Sequence, residues 1–165
     1  MANTDRPNGF RPANGHQLYD PKKWGATAAQ TIAIGDMVIM DSAGRISVAG
    51  ATSGAVCGVA ASAVASATAD DAIYIWDNPM QIFEGQCSGD GALADPYTCA
   101  TATQCFDIED TTGSMEINEN SSTYDIVKVI GVGKDPATGL DSAVGANQRK
   151  LFVINKGVHQ LGVQT

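Results

Sequence analysis

From residue 31 onward the chain repeats one pattern, short runs of β-branched residues punctuated by Gly, Asp and Ser roughly every 8 to 12 positions. Such a pattern is the signature of an all-β sandwich or barrel. The runs fall at 37–40, 45–49, 56–60, 72–76, 80–87, 104–109, 114–118, 126–132, 150–155 and 158–163. Asp41-Ser42-Ala43-Gly44 joins the first two, and a four-residue loop ending in Gly fits a tight hairpin. At 72–76, Ala72, Tyr74 and Trp76 share one face while Ile73 and Ile75 share the other. Residues 126–132 are almost wholly β-branched and pair naturally with 150–155, so both read as central strands, with 158–163 as an edge strand. Phe83 is expected to anchor its strand in the core. The stretch ASAVASATADD at 61–71 favours helix by its alanines, but Ser and Thr alternate through it, and it reads as a loop or one short turn.

The first 25 residues differ. Pro7, Pro12 and Pro21 stiffen them, Gly9, Gly15 and Gly25 loosen them, and no periodicity survives. Residues 1–25 therefore read as an extended N-terminal arm, and 26–165 as the body of a single domain. An arm that carries Phe10, Leu18, Tyr19 and Trp24 has to bury them against this body, a neighbouring copy or another partner.

Charge narrows the partners. Residues 1–23 are net +2, whereas the remainder is net −10. A barely positive arm on an acidic body offers no Lys/Arg cluster to neutralise phosphates, so nucleic acid is not an expected partner. No run of 18 apolar residues occurs, which disfavours a membrane span, and the N-terminus lacks the apolar segment of a secretory signal.

No residue is expected to be catalytic, to bind a cofactor or to hold a metal. Only two histidines exist, His16 in the arm and His159 near the end, whereas a zinc site needs three or four clustered ligands. Cys57, Cys87, Cys99 and Cys105 have no metal-pair spacing and read as reduced, small hydrophobes, the alternative being a disulfide among the last three. The acidic groups Asp107, Glu109, Asp110 and Asp90, Asp95 do not follow the calcium-loop pattern and read as solvated turn residues.

The opening MANTDRPNGFRPANG resembles the N-termini of capsid cement or decoration proteins of tailed bacteriophages. Gly35-Asp36-Met37-Val38, Cys57-Gly58-Val59-Ala60, IYIWDNPMQIFEGQ at 73–86, YDIVKVIGVG at 124–133 and RKLFVINKGVHQ at 149–160 are similar as well, in the order such proteins use. The alanine-serine stretch and the four cysteines depart from that pattern. The resemblance implies a β-barrel- or β-tulip-like body made in the host cytoplasm, which then binds and stabilises the outer surface of an assembled capsid. It further implies that the major capsid protein is the partner and that copies form a homo-oligomer, a trimer more readily than a dimer. Phe10, Arg11, Pro12, Tyr19 and Trp24 are then the expected contacts with capsid or neighbour. The alternative function is a non-catalytic host- or glycan-binding module of a virion or cell surface, which should cluster aromatics on its loops.

Overall fold

The computed structural model describes residues 5, 7–88, 105–143, 145–155 and 158–161. The turn expected at Gly89-Asp90-Gly91, the acidic pair Asp90 and Asp95, Cys99 and the end of the 158–163 strand lie outside the described residues. Among the described residues the chain is all-β. In chain order the strands are β1 (Arg11–Pro12), β2 (Lys22–Gly25), β3 (Met37–Met40), β4 (Ile46–Val48), β5 (Gly58–Ala60), β6 (Ala72–Trp76), β7 (Phe83–Gln86), β8 (Cys105–Glu109), β9 (Glu116–Asn118), β10 (Val127–Val132) and β11 (Arg149–Ile154). One sheet has the order β1-β7-β11-β10-β8-β9 and the other β2-β6-β5-β3-β4. Within each sheet the strand pairs are antiparallel.

The main core lies between the sheets. Met37 and Val59 from the five-stranded sheet meet Phe83, Phe106, Ile108, Val127, Val129, Phe152 and Ile154 from the six-stranded one. A second core sits on the opposite face of the five-stranded sheet, where Val38, Ile46, Ile73 and Ile75 pack with Ala26, Ile32, Cys57 and Ala67. Strand side chains alternate between faces, so β3 sends Met37 to one core and Val38 to the other. This is why β3 and β5 are continuous apolar runs while β6 alternates.

The alanine-serine stretch covers that second core and contains no helix. Ile32 and Val64 form an antiparallel bridge, with Ile32 N donating to Val64 O at 2.8 Å and Val64 N to Ile32 O at 2.9 Å. Val64 and Ala67 thereby press on Ile32 and the sheet. Ser66 and Thr68 are exposed, while Ser62 is half-buried with its hydroxyl accepting from Tyr74 N at 2.9 Å.

The expected barrel closure is not formed among the described residues, and the two sheets make a sandwich. The six-stranded sheet does curl, bringing β9 back to the end of β7 through a single parallel bridge between Cys87 and Ile117. A closed barrel needs a continuous ladder between its first and last strands. Here β1 already occupies the outer edge of β7, pairing Arg11 with Glu84 and Pro12 with Phe83, so β9 reaches only the residue beyond it. The 158–163 edge strand is also corrected: its described part is a turn with one isolated bridge, His159 to Val56.

Candidate functional site

Residues 7–25, expected as an extended arm, are a strap folded onto their own body. The strap starts as the edge of one sheet, β1, and ends as the edge of the other, β2. Phe10 fixes it: the side chain is 1% exposed, packs edge-on against Phe152 with ring centroids 5.0 Å apart, and joins the main core. Two glycines permit this. A Cβ on Gly85 would lie 2.5 Å from the Phe10 ring, and a Cβ on Gly9, where φ is +67°, would lie 2.8 Å from Gly35 O. Phe10 N donates to Gly35 O at 2.8 Å, so the strap passes the 31–36 turn in backbone contact.

The other four expected contact residues follow along the strap. Arg11 is exposed, and its guanidinium reaches Glu84 at 3.2 Å, a carboxylate already held by buried Arg149 at 2.6 Å. Pro12 is half-buried in β1, where its missing N–H costs nothing at a sheet edge. Tyr19 is half-buried, with its backbone N–H donating to Gln81 Oε1 at 3.0 Å. Trp24 lies in β2 against the second core, and its indole N–H donates to Asp77 Oδ2 at 3.3 Å. Phe10 and Trp24 are thus packed against the body, the first of the three fates open to them from sequence.

Side by side with the strap runs the β6–β7 connection, residues 77–82, which crosses between the sheets in the opposite direction. Buried Gln81 ties the two together, accepting from Tyr19 N while its amide donates to Gln17 O at 3.3 Å and Ile82 O at 2.8 Å. Leu18 therefore sits on one crossover and Met80 on its neighbour, 64% and 61% exposed, on segments pinned to the body. His16, Gln17, Asp20, Lys22 and Lys23 around them are exposed. Sequence reasoning missed Met80. Its signal was the Asn78-Pro79 turn, which places the next residue at a loop tip.

The titratable groups are mostly structural. Asp107 is corrected from a solvated turn residue to a buried one: its carboxylate accepts from Thr123 N, Tyr124 N and Asp125 N at 2.8–3.0 Å and from the Ser121 hydroxyl, holding the 121–125 loop. Glu109 is corrected as well, half-buried at the end of β8 and accepting from Asn118 Nδ2 at 2.6 Å, whereas Asp110 is exposed and accepts from Ala51 N at 3.0 Å. Asp36, fully buried, accepts from Ala33 N and Gly113 N, and burial pushes its carboxyl upward. Glu116 is pushed up to about 7 by burial, with Asp5, Glu109 and Glu119 adding like charge against the pull of a Gln86 hydrogen bond. Burial also raises the Cys57 thiol to about 12, so it stays protonated and unreactive at neutral pH. Cys57, Cys87 and Cys105 carry free thiols. Among the described residues no group of three or more His, Cys, Asp or Glu is placed to hold a metal ion, and no helix is long and apolar enough to cross a membrane.

No protein-family model matches the chain. No curated protein matches it either.

Proposed function

We propose that this protein is a structural component of a phage virion that binds the outer surface of the assembled capsid and stabilises it. The observation that carries this reading is the seam formed by Leu18 and Met80, two large apolar side chains held in solvent on paired crossovers. An apolar centre with a polar rim is the anatomy of a protein-binding patch. Burying the exposed part of both side chains contributes about 2–4 kcal/mol per copy before the costs of association. That is modest for one contact, but hundreds of copies on one shell sum it, and a protein that binds only the assembled state stabilises that state by mass action.

The sequence resemblance supports the same reading, as does the balance of charge between strap and body. In this account the curled six-stranded sheet is the barrel-like part of the body. The strap is the face toward the shell, with Arg11, Pro12 and Tyr19 flanking the seam and Phe10 and Trp24 holding it from beneath. Copies grouped around symmetry axes of the shell would form the expected trimer or dimer.

The test is co-sedimentation with shells assembled from the major capsid protein encoded in the same genome. Wild type is expected to pellet with the shells, and the double variant Leu18→Glu/Met80→Glu to remain in the supernatant with an unchanged far-ultraviolet circular dichroism spectrum. Equal pelleting of both would remove the seam from the interface. Failure of the wild type to pellet would overturn the reading itself.

A further inference from the structure

The C-terminal segment 158–161 joins both cores at one place. Val158 packs on the main core and Leu161 on the second, so the segment spans the end of β5 from one face of the sheet to the other. Val158 N and His159 N both donate to Asn155 O at 3.0 Å, and four further hydrogen bonds tie the segment to Val56 and Met40. Val56 N donates to Val158 O at 2.8 Å, and Gln160 N donates to Val56 O at 2.7 Å. The Gln160 side chain then mimics a strand, accepting from Met40 N at 2.7 Å and donating to Met40 O at 3.0 Å. Between these contacts lies His159, whose side chain is buried.

The state of that imidazole is fixed by its neighbours. Leu161 N–H donates to Nδ1 at 3.1 Å, so Nδ1 is an acceptor and the ring is neutral with its proton on Nε2. Nε2 is buried with no hydrogen-bond partner. Among the described residues, the charged group that acts on the ring is a carboxylate. Asp77, buried at the end of β6, acts on it by charge and is itself held by Trp24 and by Lys22 Nζ at 3.4 Å. The protonated Cys57 thiol feels the same Asp77 charge and is uncharged. A second proton on the ring has one place to go, Nδ1, where it displaces the Leu161 N–H.

We propose that residues 158–161 are an acid-released latch, in which protonation of His159 expels the segment from the seam between the two cores and frees the backbone of Met40 and Val56. Geometry supplies the trigger, since the protonated ring cannot keep its bond to Leu161. Electrostatics sets the direction. Burial lowers the affinity of the ring for a proton below its ordinary 6.5, and the attraction of Asp77 offsets this only in part. A ring whose folded value is depressed destabilises the docked state as pH falls below 6.5, because the released segment binds the proton more tightly. Acid therefore opens the latch and neutral pH closes it.

Hydrogen–deuterium exchange of the full chain tests this, with rates corrected for the intrinsic pH dependence of amide exchange. Between about pH 7.5 and about pH 5, protection of the Val56 and Gln160 amides is expected to fall, by at most about thirty-fold, the limit that proton binding by a released ring of ordinary affinity sets. His159→Asn, which keeps an acceptor near the Nδ1 position and cannot take up a proton, should hold its protection across that range. Unchanged protection in the wild type, or an equal loss in His159→Asn, would overturn the latch. Long-range ¹H–¹⁵N spectra of the wild-type imidazole decide the matter without any variant. The Nε2–H tautomer should persist to below 6.5, and a ring that titrates at or above 6.5 would contradict the proposal.

Discussion

Replacing Phe10 by alanine separates a strap that belongs to the fold from an arm that merely rests on it. The side chain is fully buried in the main core, against Phe152, with Gly85 beneath the ring. A buried Phe→Ala change costs about 3–5 kcal/mol, and Gly85 has no side chain with which to fill the space, so about 4 kcal/mol is expected. For a chain of this length that lowers the melting temperature by about 8–16 °C. Urea unfolding followed by circular dichroism gives the number directly, provided the slope of the transition is unchanged. Gly85→Ala should cost a similar amount by driving its Cβ into the ring. The double variant should cost clearly less than the sum, because removing the ring removes the clash. A loss below about 1 kcal/mol for Phe10→Ala, the range of a surface change, would refute the reasoning and return residues 7–25 to the status of a detachable arm.

Asp107→Ala leaves three backbone N–H groups of the 121–125 loop without their acceptor, a loss of about 3 kcal/mol that urea unfolding should record, with the earliest exchange in that loop. Glu116 sets a pH dependence of opposite sign to that of His159. Its folded value is raised from 4.5 to about 7, so its contribution is complete below 4.5 and disappears as pH rises through 7. Melting temperatures between about pH 5 and about pH 8 should therefore fall more steeply in the wild type than in Glu116→Gln.

The strands of the body were legible because their specification is local. Alternation in β6 put Ile73 and Ile75 on a buried face, and the β-branched density of β10, with β11 as its match, put the pair at the centre of their sheet. β1 and β2 were not legible as strands. Their residues include Pro12, Lys22, Lys23 and Gly25, with no periodicity, and what makes them extended is a distant partner, β7 for one and β6 for the other. The aromatics still carried a true signal, since Phe10 and Trp24 had to be covered by something. The buried acids were hidden for a related reason. Asp107 shows its charge in the sequence but not the four donors folded around it, and Asp77 and His159 stand 82 positions apart in the chain. The seam combines both cases: Leu18 stood out among polar neighbours, whereas Met80 gained meaning only when two crossovers were tied together by Gln81.

The central claim is that this chain acts by lending contact surface to a shell, with the strap side inward. A cryo-electron-microscopy difference map between shells incubated with and without the protein tests it most directly. The account predicts added density for a two-sheet body on the outer face, oriented with Leu18 and Met80 against the capsid. Bare shells at saturating protein, or a bound body whose seam points to solvent, would contradict it.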